Sequence, residues 1–176
     1  MQLLTIWLIF WCGFASANPQ PSIYGFDEIV VVIEENLITK SDIIKEKALV
    51  KTLPMQSDIL QGVREKNPLE GLILLELISQ MAGDTSLYKA KEEDISSRLD
   101  TFKAQWESPD SYKSFLDATH INEENLKQVI EQHLVAEQYV YRNLGIVNQT
   151  QSLDAEEKFQ NWVLLNKEKV SIRYLN

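Results

Sequence analysis

The chain opens its first legible pattern at Ile29–Ile33, five consecutive residues of which every one is β-branched, a run of strand length. Glu34-Glu35-Asn36 then reads as a tight turn, and Leu37-Ile38 resumes an extended segment. Thr39 with Asp42, or Ser41 alone, supplies oxygens for the exposed amides of a first helical turn. The helix that follows is expected to turn Ile43, Ile44, Ala48 and Leu49 inward and to stop near Leu53-Pro54, because the residue before a proline avoids helical dihedrals. A polar stretch from Gln56 to Asn67 predicts a second, weaker helix, and Pro68 sits where a first turn tolerates it. Leu69–Met81 is apolar on nearly all sides, with Glu70 and Glu76 as exceptions. At that length it is too short to cross a bilayer and predicts the buried centre of a helical domain.

Further on, Ile95, Leu99, Phe102 and Trp106 recur at helical spacing. Ser108-Pro109 restarts the chain as N-cap and first helical residue, with Tyr112, Phe115 and Leu116 facing inward. Asn122 is an N-cap with Ile121 before it and Leu126 four positions after it, the spacing of a hydrophobic staple. That helix runs through Val129, Ile130, Leu134 and Val140 to Leu144, and Gly145 supplies a left-handed stop. After a polar loop, Asp154 and Glu157 have capping-box spacing ahead of an inner stripe of Phe159, Trp162 and Val163. Val170–Leu175 alternates with period two and predicts a terminal strand. Such a strand needs a partner, and Ile29–Ile33 is the candidate. The pattern therefore predicts a mainly α multi-helix domain whose two ends meet in a small antiparallel sheet formed by the N-terminal hairpin and the C-terminal strand.

Composition changes the picture at the amino terminus. Residues 1–17 carry no charged side chain, and the apolar stretch Leu3–Phe14 is followed by Ala15-Ser16-Ala17, a small-x-small pattern of signal-peptidase cleavage. We read 1–17 as a cleaved secretory signal, 18–28 as a linker, and 29–176 as the domain; an uncleaved leader would instead anchor the chain in a membrane. The chain's one cysteine, Cys12, lies in that leader, so an extracytoplasmic domain here must rest on its hydrophobic core rather than on disulfides. With 44% apolar and 24% charged residues the chain is composed like a globular protein, and a net charge of −9 argues against a nucleic-acid partner, which needs a basic face.

Candidate chemistry is sparse. The two histidines, His120 and His133, lack metal-ligand spacing, and Glu137, one turn after His133, predicts a His–Glu contact on a helix surface. The acids Glu92-Glu93-Asp94 and Glu156-Glu157 fall near expected helix starts, where the macrodipole favours negative charge. Asn148-Gln149-Thr150 matches a glycosylation sequon but is read as loop sequence. The scattered glycines form neither a phosphate-cradling loop nor a nucleophile elbow. No catalytic residue, metal, cofactor or nucleotide is expected, and the chain is not expected to be an enzyme.

Val30-Val31-Val32-Ile33 through Leu37-Ile38-Thr39-Lys40-Ser41-Asp42-Ile43 resembles the opening of the SurA-like periplasmic chaperone family, a valine-rich strand, a tight turn and a hydrophobic-Ile-Thr-x-Ser-Asp entry into the first helix. Ser108-Pro109-Asp110-Ser111-Tyr112 with Phe115-Leu116, the stapled helix after Asn122, and the returning segment Phe159–Leu175 are similar to later parts of the same module. Two departures stand out. The turn at Glu34-Glu35-Asn36 lacks the glycine the family often has there, and the few residues between Gly145 and Leu153 leave no room for a parvulin isomerase domain, which needs on the order of 100 residues. The resemblance implies a periplasmic holdase that binds unfolded outer-membrane or secreted polypeptides without isomerase activity of its own. A client groove must expose apolar and aromatic surface, and Phe102, Trp106, Tyr112 and Phe115 are its candidate peptide-binding residues, against a plain core role for the same stripe. The alternative is a small secreted helical adaptor for one folded partner. Secreted material is expected to begin at Asn18; amino-terminal sequencing checks this, and retention of Trp7 and Trp11 in a membrane fraction would favour the anchor.

Overall fold

The computed structural model describes residues 27–83, 85–145 and 153–175; the signal sequence, most of the linker and the polar loop with its sequon lie outside the described residues. Among those described, the order is β1 (Ile29–Ile33), β2 (Asn36–Thr39), α1 (Lys40–Thr52), α2 (Asp58–Lys66), α3 (Pro68–Ala82), α4 (Glu92–Lys103), α5 (Pro109–Thr119), α6 (Glu123–Leu144), α7 (Leu153–Lys167) and β3 (Ile172–Tyr174). The protein is mainly helical with one small antiparallel sheet, as its polarity pattern predicts.

The sheet has the order β2-β1-β3, so the first strand is central and the two ends of the domain lie side by side. Val31, Val32 and Ile33 face Tyr174, Arg173 and Ile172. On the other side Ile33 pairs with Asn36 and Val31 with Ile38, with an irregularity between Ile29 and Val31. Glu34 takes φ 51 in the turn, a left-handed conformation that costs a non-glycine residue about 1–2 kcal/mol. Two contacts hold it there: its N–H donates to the Ser171 carbonyl at 3.0 Å and its carboxylate accepts from the Ser171 N–H at 2.7 Å. The turn is thus clasped to the start of the returning strand.

The helix starts follow local chemistry. Thr39 and Asp42 form a reciprocal capping box, and Ser108 forms one with Ser111. The Asn122 carboxamide oxygen accepts from the Asn125 N–H at 2.7 Å, with both staple residues, Ile121 and Leu126, buried. Gly145 ends α6 at φ 64. Asp154 departs from expectation. Helix α7 begins before it, and its carboxylate pairs with Lys158 one turn on, at 2.8 Å, instead of capping.

Helix α3 is apolar all round because it is covered on several sides. Ile73 and Leu77 pack on Val31, Ile33 and Ile38 of the sheet. Leu74, Leu75 and Ile78 pack with Leu60 of α2, Ala136 and Val140 of α6, and Phe159 of α7. A second helical cluster joins Leu49 and Leu53 to Ile95, Leu99 and Phe102 of α4 and to Ile121, Leu126 and Ile130.

Between α1 and α2 the core is not apolar. Arg64 (1% exposed) donates from Nε to Glu46 (3% exposed) Oε1 at 2.6 Å and from Nη2 to Oε2 at 3.3 Å. Its Nη1 donates to the Leu53 carbonyl at 3.2 Å and to Gln61 Oε1 at 3.1 Å. The inward face of α1 departs from expectation at Ile44, which is 61% exposed, while Leu49 is buried, Ile43 and Ala48 are half-buried, and Glu46 and Val50 join the buried side. Gly71 is required opposite it. A Cβ there would lie 2.8 Å from Arg64 Cγ and 3.0 Å from its Cα, so α3 approaches α2 more closely than any side chain permits.

Arg64→Met should cost about 3–5 kcal/mol in denaturant unfolding, since it strands a buried carboxylate, and Glu46→Leu combined with Arg64→Met should recover most of that loss. A double variant as unstable as the single one would show that the pair itself, not the unpaired charge, holds the helices.

Candidate functional site

The aromatic candidates converge at the α4–α5 junction. Phe102 sits in the last turn of α4, Trp106 in the turn after it, and Tyr112 and Phe115 on α5. Phe102 lies 5.9 Å from Trp106, 6.2 Å from Tyr112 and 5.7 Å from Phe115, ring centre to ring centre, and Trp106 lies 4.7 Å from Phe115. The four differ in accessibility. Phe102 is 1% exposed and acts as the hub, while the other three rings are half-buried around it. Phe102 is therefore a core residue that supports the patch, and Trp106, Tyr112 and Phe115 are the surface a ligand could meet.

Polar groups frame this patch. Tyr112 Oη donates to Glu123 Oε2 at 3.3 Å, Glu123 Oε1 accepts from Lys103 Nζ at 2.8 Å, and that ammonium lies 5.8 Å from the Tyr112 ring centre. Burial, and then the Glu123 carboxylate, push the Tyr112 hydroxyl up to about 12, so it stays protonated and donating. The Lys103 hydrogen bond holds Glu123 below the usual carboxylate range. Trp106 Nε1 is buried and has no protein acceptor among the described residues.

Two of the clefts that border α6 lie beside groups that could meet a ligand. One, of about 660 Å³, lies between α4, α6 and the α1–α2 connection, with Phe102 reaching its wall and Tyr141 exposed at its edge. Arg98 and Glu137 cross it: Arg98 Nη2 donates to Glu137 Oε1 at 3.0 Å and to the Pro54 carbonyl at 2.8 Å, and the Gln56 N–H donates to Glu137 Oε1 at 2.5 Å. The other, of about 520 Å³, lies between β2, α1, α3 and α6.

The expected surface contact between His133 and Glu137 does not form. Glu137 is taken by Arg98 and Gln56, and His133 is 1% exposed with neither ring nitrogen hydrogen-bonded among the described residues. Burial, and then the positive charges of Arg64 and Arg98, hold its pKa well below the ordinary value, so the buried ring is neutral. His120 instead caps α5 in a left-handed conformation at φ 53. Among the described residues no group of three or more His, Cys, Asp or Glu side chains could hold a metal ion, and no helix is long and apolar enough to cross a membrane. The pairing of Arg98 with Glu137 escaped the sequence reading because no local spacing connects residues 39 positions apart.

No family model matches the chain, and no curated protein matches it at a significant level.

A histidine whose folded pKa is depressed contributes stability above its unfolded pKa and loses it as pH falls toward the folded value. Stability should therefore decline below about pH 6.5, by up to about 1.4 kcal/mol per pH unit from this residue. Thermal melts between neutral pH and pH 5 should show His133→Leu with a flatter dependence than the parent; parallel profiles would mean that other groups govern the acid response.

Proposed function

We propose that this protein is a holdase-type chaperone of the SurA-like kind, acting in the periplasm on unfolded outer-membrane or secreted polypeptides and lacking prolyl isomerase activity of its own. The observation that carries this reading is the half-exposed aromatic patch of Trp106, Tyr112 and Phe115 seated on the buried Phe102. An unfolded client presents apolar side chains and free backbone groups and little else. Rings with one open face and a polar tip, such as Tyr112 with its Glu123-bound hydroxyl, meet both. Open clefts on either side of α6 lengthen the surface on which an extended chain could lie. The topology also supports the reading, since an N-terminal hairpin and a returning terminal strand share one sheet around a helical body in the order that the resemblance implies.

Such binding is weak per contact, because the client loses conformational entropy on being held. The mature protein should slow the aggregation of an unfolded β-barrel protein, followed by light scattering, without nucleotide or metal. Tyr112→Ala should weaken client affinity roughly fivefold, the equivalent of about 1 kcal/mol for one half-buried ring. Failure to protect any of several unrelated clients would favour the single-partner adaptor. Measurable isomerisation of a proline test peptide would overturn the assignment.

A further inference from the structure

The cleft between β2, α1, α3 and α6 has three different surfaces. Its apolar lining comes from Leu49, Leu72, Leu75 and Val129. One wall carries the carboxamides of Asn125, Gln128 and Gln132. Bordering the cleft are Leu37 and Ile38 of β2, an edge strand. The ladder shows which backbone groups that edge leaves unpaired. The Val30 carbonyl and the Glu34 N–H are both turned toward the β3 side, where they bond Leu175 and Ser171. Antiparallel alternation then turns Val32 to β3 and Val31 and Ile33 to β2. Leu37, opposite Val32, consequently directs its own N–H and C=O away from the sheet.

Charge specifies the partner further. Glu76 is half-buried at this cleft, and its Oε1 accepts from Asn36 Nδ2 at 2.5 Å and from Gln80 Nε2 at 3.0 Å. Its Oε2 has no partner among the described residues, and no described lysine or arginine pairs with it. The other acids of the cleft are already matched: Asp42 with Lys45 at 3.6 Å, and Glu46 with Arg64. The cleft thus combines an open strand edge, an apolar lining, an amide wall and one unneutralised carboxylate.

We propose that this cleft docks an extended polypeptide strand by addition to β2, with apolar side chains at alternate positions on the lining and one basic side chain on Glu76. Main-chain pairing to the Leu37 edge gives sequence-tolerant affinity, the lining selects alternation, and Glu76 selects a lysine or arginine in register. The site deepens the holdase reading and rests on it for the identity of the ligand as a client segment.

The probe is a short fluorescent peptide alternating valine and threonine with one central lysine, its glutamate counterpart, and a lysine version N-methylated at alternate residues. Fluorescence anisotropy with the full mature chain should show the glutamate peptide binding about five- to tenfold more weakly than the lysine one, as expected when attraction at a partly buried charge becomes repulsion. Glu76→Lys should invert that order, and Glu76→Gln should erase it; the glutamine variant keeps the test interpretable if charge reversal impairs folding. N-methylation should abolish binding, because it removes the donors that strand addition uses. Equal affinities for the charged pair, or undiminished binding of the N-methylated peptide, would overturn the proposal. Suppressed client aggregation together with an unchanged peptide order in Glu76→Lys would sink strand docking and leave the holdase reading standing. Inverted order without any aggregation suppression would do the reverse.

Discussion

The helical body is organised around a charge that has nowhere to go. Arg64 is enclosed by α1, α2 and α3, and its guanidinium can remain there only because Glu46 meets it in a two-pronged contact and the Leu53 carbonyl and Gln61 take a third nitrogen. The same Gln61 donates from Nε2 to the Val50 carbonyl and accepts from the Met55 N–H, so one polar network closes the end of α1 and the turn into α2. A pair of this kind adds little net stability over an apolar substitute, but any arrangement that separates its members leaves an uncompensated buried charge. It therefore penalises alternative packings of α1 on α2. Gly71 permits the close approach of α3 to Arg64, and His133 on α6 stays neutral first because it is buried and then because Arg64 and Arg98 lie nearby.

The sheet solves a different problem. Three short strands could not stand alone in water, and here one face of them is closed by Ile73 and Leu77 of α3. The left-handed Glu34 shows how the closure is enforced. A glycine would make that turn at no steric cost and would keep the backbone bond to Ser171, but it would lose the side-chain acceptor that takes the Ser171 N–H, 137 positions away. The residue that strains the hairpin is the one that captures the returning end of the chain.

Legibility in the sequence followed the range of the interaction. Element starts and stops came through because Thr39 with Asp42, Ser108 with Pro109, Asn122 with Ile121 and Leu126, and the left-handed Gly145 act within a turn or two of chain. The all-round apolar α3 announced its own burial. What failed were the facings set by distant partners. Ile44 looked as apolar as Ile43, but the inward place beside it goes to Glu46, which meets Arg64 18 positions away. His133 and Glu137 had the right spacing to meet, but the Arg98 guanidinium competed for the carboxylate and the core took the imidazole. The aromatic stripe was visible as a stripe. That Phe102 would be its buried hub and the other three its surface depended on how α5 folds back over α4, which no periodicity in either helix encodes.

These features sort the molecule into a specified interior and a permissive exterior. Inside, a buried ion pair, a glycine contact and a neutral histidine leave few ways to pack the helices. Outside, the surfaces around α6 are amides, half-exposed rings and an open strand edge, groups that accept many partners because each reads backbone or apolar surface instead of a particular side chain. On the proposed reading this division has a physical purpose. A holdase must not rearrange its own core when it meets exposed apolar chain, since loosely packed helices would exchange internal contacts for client contacts. A net charge of −9 works in the same direction, because it keeps the loaded protein apart from its neighbours and favours segments that carry a compensating basic side chain. Selectivity for fold in the interior and tolerance for sequence at the surface then follow from where the polar groups lie: the Arg64–Glu46 pair fixes the packing within, while the Leu37 edge and the Glu76 carboxylate stay open without.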